Sequence, residues 1–242
     1  MKILVLQHLD VETPGSLLPL FKADGATWDT IELDQGETIP DLAGYDMMAV
    51  MGGPQDVWQE DQFPWLRAEK AAIRRFVAGM KRPYLGMCLG HQLLAEAIGG
   101  KVGKAKTGEV GVMTASKTKA GLEDPLLQGI SDPITVLQWH GAEVQGLPPE
   151  AVVLATSPAC AVQAFRYGSC AYGVQFHVEI TKRTVDEWAA VPEYACALET
   201  ALGTGAAERV RSDVVSRLPA FTADAATIYR NFKSTWAATP PA

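Results

Sequence analysis

Three separated groups of residues in this chain have the types and spacings that acyl-transfer chemistry uses. The first is Gly86-Met87-Cys88-Leu89-Gly90, a single cysteine with glycine two residues before it and two after it. Glycines so placed let the backbone turn tightly, and the side chain between them projects from the top of a sheet. A thiol at a helix N-terminus also feels the positive end of the dipole, which favours thiolate. The competing reading is a small buried residue in a strand-to-helix turn, and this stretch alone leaves the two open. The second group, His177-Val178-Glu179, supplies the base that a cysteine nucleophile needs. Residues two apart at the end of an extended segment leave on one face, and a carboxylate beside an imidazole fixes its tautomer and stabilises its cation. A surface His and Glu closing a strand is the plain alternative. The third group is Met51-Gly52-Gly53-Pro54, where glycines let backbone N–H groups approach a ligand closely, as an oxyanion hole requires. It also reads as an ordinary strand-ending turn. A fourth stretch, Gln138-Trp139-His140-Gly141, could line a pocket, although a packed tryptophan and a satisfied histidine explain it almost as well.

The elements around these groups alternate. Lys2 to Gln7 is a continuous apolar run of the kind buried on both faces of a parallel sheet, and Asp46 to Met51 and Pro83 to Met87 repeat it just before Gly52 and Cys88. Trp28 to Leu33 alternates as a further strand. Pro14-Gly15-Ser16 opens a short helix to Ala23, a 3.6-residue period marks another over Pro64 to Ala78, and Gln92 to Ile98 forms one that stops at Gly99-Gly100. Beyond Gly100 the pattern changes to short strands over 108–114, 134–139, 152–156 and 161–167, then 171–177. A helix follows over 181–202 with a break near Pro192. The fold class is therefore α/β, with a central, mostly parallel sheet flanked by helices and a more antiparallel second half. The division expected is a main domain over 1–204 and a C-terminal helical extension over 205–242 packed on it. Phe221, Ile228, Tyr229, Phe232 and Trp236 would form its apolar stripe, with an interruption near Pro219.

Composition narrows the partners. The net charge of −7 over 242 residues argues against broad nucleic-acid binding, which needs a basic surface. Lys101, Lys104, Lys106, Lys117 and Lys119 read as the solvated face of a hairpin. No apolar run reaches the length of a membrane span, and the apolar N-terminal block is too short for a signal peptide and carries no cleavage site. Four cysteines without paired spacing fit a reducing cytoplasm, and the four histidines form no zinc signature. No metal and no cofactor is expected, and the oligomeric state is not legible.

Taken together, the three groups resemble the class I, triad-type, glutamine amidotransferases. Gly86 to Gln92 is similar to that family's nucleophile motif, Gly173 to Glu179 to its His-x-Glu motif, and Met51 to Pro54 to its oxyanion loop, in family order. The nearest likeness is to the glutaminase domain of GMP synthase and its stand-alone relatives. The resemblance implies a flavodoxin-like amidotransferase fold and a Cys88-His177-Glu179 triad. It implies an oxyanion hole from the N–H groups of Gly53 and Leu89. Substrate contacts would come from Gly52, Gln92, Gln138, Trp139 and His140. The reaction implied is hydrolysis of the glutamine side-chain amide through a γ-glutamyl thioester, with the ammonia passed to a separate synthase. The alternative is a γ-glutamyl peptide or amide hydrolase acting alone, and a non-catalytic binding module is a third reading. Val178 stands where the family often has proline. The chain also lacks a GxxxxGK[ST] phosphate loop, so it is not expected to be a complete GMP synthase.

Overall fold

A computed structural model describes residues 1–237; positions 238–242, with the Pro240-Pro241-Ala242 end, lie outside the described residues. In chain order the strands are β1 (Lys2–Gln7), β2 (Thr27–Glu32), β3 (Met47–Val50), β4 (Tyr84–Met87), β5 (Lys101–Lys117), β6 (Ile134–Gly146), β7 (Ala151–Thr156), β8 (Ala164–Tyr167) and β9 (Ala171–Val174). The helices are α1 (Leu18–Ala23), α2 (Trp65–Arg74), α3 (Leu89–Ala97), α4 (Lys119–Glu123), α5 (Thr184–Ala189), α6 (Pro192–Leu202) and α7 (Ala206–Ala237).

These strands form one sheet in the order β2-β1-β3-β4-β9-β8-β7-β5-β6. The first five run parallel, and the turn to antiparallel pairing comes between β9 and β8. The pattern of the sequence explains the placement. β3, β4 and β9 are buried along their whole length and sit centrally, whereas β2, which alternates, is the half-exposed edge. Ends of parallel strands gather on one side of the sheet, so the segments after β1, β3, β4 and β9 meet there, where open α/β sheets bind their ligands.

The second half differs from the sequence pattern in extent. The strands expected over 108–114 and 134–139 are parts of a much longer ribbon, β5 with β6. Glycines and exposed lysines interrupt the apolar pattern of β5, and residues 105–108 bulge out where the register shifts between Lys104 and Glu109. Lys117 leaves the solvated face: its Nζ donates to the carbonyls of Leu127 and Ile130 at 2.7 and 2.6 Å. The break before Pro192 is present because Val191 takes an extended conformation (ψ 123°), which the following proline ring enforces.

Apolar layers cover both faces of the sheet. One holds Leu66, Ile73 and Phe76 with Leu93 and Leu94 of α3. The other holds Phe176 and Trp188 together with Val210, Val214, Phe221, Ile228 and Phe232 from α7. Burying each such side chain stabilises the fold by roughly 1.5–3 kcal/mol. α7 does not break at Pro219. Pro219 and Val215 both face solvent, so water can satisfy the carbonyl that proline leaves without a donor. Among the described residues no helix is long and apolar enough to cross a membrane.

Candidate active site

Cys88 lies between the last residue of β4 and the first of α3, with φ 50° and ψ −102°. That conformation is one that side-chain-bearing residues rarely adopt, and it persists only where neighbours over-determine it. Here they do. The Cys88 N–H donates to the Val174 carbonyl of β9 (2.9 Å), and the Gly90 N–H donates to the carbonyl of Met51 after β3 (3.1 Å). Gly86 and Gly90 are needed for close approach, not for a left-handed φ: a β-carbon on Gly86 would stand 2.6 Å from the Gly90 backbone, and one on Gly90 would collide with the Val50 carbonyl. The Cys88 side chain is nearly buried, and Gln175 Nε2 donates to its sulfur at 3.6 Å.

β9 ends at Val174, the chain bends through Gln175 and Phe176, and His177 then exchanges two backbone hydrogen bonds with Leu137 of β6. The His177 Nδ1–H donates to Glu179 Oε1 at 2.6 Å, while Glu179 Oε2 accepts the Val178 N–H at 3.0 Å. Trp188 closes over the imidazole edge-on, with ring centres 4.7 Å apart. Burial alone would push the imidazole pKa down, yet the Glu179 carboxylate and the Cys88 sulfur hold it well above the ordinary histidine value. With Nδ1 committed to Glu179, Nε2 is the nitrogen available to the thiol.

The backbone around Cys88 leaves two donors unpaired. The N–H groups of Cys88 and Gly90 are engaged, whereas those of Leu89 and Gly53 have no acceptor among the described residues. Both Gly53 and Leu89 line a cavity of about 120 Å³ together with Cys88, Gln92, His140 and Tyr194. Gly53 has no room for a side chain: a β-carbon would lie 2.6 Å from Gln55 Oε1, 2.8 Å from His8 Cβ and 2.9 Å from Leu89 Cδ2.

The other sequence-predicted contacts divide. Gln92 lines the cavity and is fixed by its Nε2, which donates to Gln175 Oε1 (3.0 Å) and to the Ala142 carbonyl (3.2 Å). Trp139 and His140 line it as well; Trp139 Nε1 donates to the Tyr194 carbonyl at 3.2 Å. Gln138 and Gly52 do not line it. Gln138 Nε2 donates to Gln163 Oε1 (2.8 Å) inside a buried polar network, and the Gly52 carbonyl accepts from His8.

Sequence reasoning missed several residues of this region. Glu109 is buried and accepts from His140 Nε2 (3.2 Å), Gln163 Nε2 (2.7 Å) and Ser157 Oγ (2.8 Å). Burial would raise its pKa, but these donors hold it below the usual glutamate value. Glu12 is buried and accepts the Tyr194 hydroxyl proton at 2.6 Å; burial raises its pKa in spite of the nearby His177. His8 is also fully buried. Pairs such as Glu12 and Tyr194 leave no local pattern, since the partners come from opposite ends of the chain.

A strained cysteine at a strand-to-helix turn of a parallel sheet, with a carboxylate-held histidine just past the end of the neighbouring strand, is an arrangement suited to a cysteine nucleophile. The chain belongs to the class I glutamine amidotransferase family, whose model, described as "Glutamine amidotransferase class-I", matches residues 20–188. It is 35% identical to the putative glutamine amidotransferase-like protein YfeJ of Salmonella typhimurium, over 77% of this chain and 79% of that one. It is 35% identical to a glutamine-hydrolyzing GMP synthase subunit of Ignicoccus hospitalis, over 58% of this chain and 70% of that one. It is 30% identical to gamma-glutamyl peptidase 5 of Arabidopsis thaliana, over 69% and 67%. Among solved structures, a glutamine amidotransferase from Thermotoga maritima superposes with a TM-score of 0.85 at 26% identity, covering 96% of this chain and 97% of that one.

Proposed function

We propose that this protein hydrolyses the side-chain amide of glutamine through a Cys88 γ-glutamyl thioester. The observation that carries the reading is the Cys88 sulfur, which lines one cavity with the unpaired N–H groups of Gly53 and Leu89 and is met from behind by the His177–Glu179 pair. The Cys88 thiolate attacks the carboxamide carbon, and the carbonyl oxygen becomes an oxyanion held by Gly53 and Leu89. One such donor is worth roughly 3–4 kcal/mol of barrier. His177, charged through its contact with Glu179, protonates the departing nitrogen, and ammonia leaves as the C–N bond breaks. The neutral imidazole then takes a proton from water, the hydroxide adds to the thioester carbon, and collapse returns glutamate and the Cys88 thiolate with His177 again protonated. Gln92 and His140 stand in the wall where the rest of the substrate would lie.

The likeness to a glutamine-hydrolyzing GMP synthase subunit supports a separate synthase as the recipient of the ammonia. The likeness to a γ-glutamyl peptidase supports a second reading, in which water is the only acceptor and a γ-glutamyl amide or peptide is the substrate. One experiment separates the two: glutamate and ammonia release by the purified protein from free glutamine and from γ-glutamyl dipeptides. The first reading expects glutamine turnover. Robust dipeptide turnover with negligible glutaminase activity would move the function to the second, and no turnover of either, with no covalent adduct at Cys88 from a glutamine-analogue electrophile, would overturn both.

A further inference from the structure

We propose that His8, held by Glu69, is a positioning residue for the oxyanion hole, turning the Gly53 N–H toward the reacting carbonyl. The proposal rests on the amide-hydrolysis reading above. β1 and β3 are parallel neighbours, so the residue just past the end of β1 reaches the loop just past the end of β3. There the His8 Nδ1–H donates to the Gly52 carbonyl at 2.8 Å. The peptide between Gly52 and Gly53 is trans, so its C=O and N–H point in opposite directions. Fixing the carbonyl inward on His8 therefore turns the Gly53 N–H outward, to the cavity that Gly53 lines.

His8 is itself clamped. Its Nε2 lies 2.9 Å from Glu69 Oε1, its ring stacks on Trp65 with centres 5.3 Å apart, and its own carbonyl accepts from Gln55 Nε2 at 3.3 Å. Both ring nitrogens face oxygen acceptors, an arrangement that satisfies a ring carrying a proton on each. Burial pushes its pKa down, but Glu69 and the Gly52 carbonyl together raise it above the ordinary value. His8 and Glu69 are both fully buried, and the second oxygen of Glu69 has no partner among the described residues. A carboxylate carried into the interior by α2 with only this histidine to bind is hard to account for as packing, because an apolar side chain would fill the same space without desolvating a charge. Holding a directed hydrogen bond under the oxyanion loop accounts for it.

The test compares two amides with glutamine, or the γ-glutamyl dipeptide the protein turns over, as substrate. In His8→Asn the amide nitrogen replaces Nδ1 and keeps a donor for Gly52; in His8→Gln it replaces Nε2, keeps a partner for Glu69 and leaves Gly52 without a donor. His8→Gln is expected to lower kcat by about 10–100-fold with KM nearly unchanged, while His8→Asn recovers most of that loss. Alkylation of Cys88 by iodoacetamide, which forms no oxyanion, should proceed in both variants at close to the wild-type rate. Equal kcat losses in the two variants, or a parallel loss of alkylation, would reduce His8 to a packing residue. Should either variant fail to fold, Glu69→Gln, which keeps a hydrogen-bonding group on Nε2, is expected to lower kcat about tenfold with alkylation unchanged; an unchanged kcat would overturn the proposal. Wild-type protein that turned over neither substrate would instead remove the underlying reading, and this proposal with it.

Discussion

His177 and Glu179 are joined by a 2.6 Å hydrogen bond from Nδ1–H to Oε1, and both side chains are almost wholly withdrawn from water. The carboxylate acts on the imidazole in two ways, fixing which nitrogen carries the proton and favouring the charged ring that, in the proposed reaction, gives its proton to the departing nitrogen. Glu179→Gln removes the charge while keeping an oxygen in reach. We expect kcat to fall by roughly 10²–10⁴-fold with KM within a fewfold of wild type. Steady-state kinetics of the variant decide this, and activity within threefold of wild type would remove Glu179 from the mechanism.

The strain at Cys88 gives a prediction with opposite signs for activity and stability. Cys88→Ala and Cys88→Gly should both abolish turnover. Glycine adopts positive φ without steric penalty, so Cys88→Gly should be more stable than Cys88→Ala by about 1–3 kcal/mol. Chemical denaturation of the two variants measures the difference; equal stabilities would mean that the turn is relaxed.

Gly90→Ala tests the close approach of α3 to β3. Its β-carbon would meet the Val50 carbonyl, a backbone atom in a central strand that has no freedom to retreat. A cost of about 3 kcal/mol or more is expected, at the upper end for overpacking. A thermal transition unchanged from wild type would show that α3 is free to shift outward.

His91 links stability to acid. It is fully buried with its ring edge-on to Phe165, and burial lowers its pKa from 6.5 to about 3. The unfolded chain therefore binds a proton between those values that the folded chain refuses, so stability rises with pH across that window and is fully present above pH 6.5. The slope contributed is at most about 1.4 kcal/mol per pH unit. His91→Gln should remove it, so that denaturation midpoints from pH 6.5 down to 4 decline less steeply than in wild type. Parallel declines would place the acid sensitivity elsewhere.

The elbow, the His-x-Glu pair and the glycine loop were legible because each is local: two or three side chains within five residues, next to an apolar strand. The strands of the parallel half were legible for the same reason, since full burial writes a continuous apolar run. What stayed hidden depends on distance or on water. Glu69 sits among Arg67, Lys70 and Arg74 on α2 and reads as one more charge on a solvated helix face. His8, Glu12 and Glu109 acquire partners only when distant elements meet: the end of β1 with the loop after β3 and with α2, Glu12 with α6, and β5 with β6. The ribbon of β5 and β6 exposes enough of its length that no apolar alternation marks where it begins, and α7 continues past Pro219 because solvent completes what the helix cannot.

The order of strands has a consequence for synthesis. β9 is among the last strands to leave the ribosome, yet it lies between β4 and β8 at the centre of the sheet. Until it inserts, β4 has no neighbour on that side, the Cys88 N–H has no Val174 carbonyl to bind, and His177 is not yet beside the thiol. Pairing strands so far apart in sequence is entropically late and slow. A nascent chain therefore carries Cys88 without its imidazole neighbour, and on the proposed reading the strand that closes the sheet is also the one that arms the thiol.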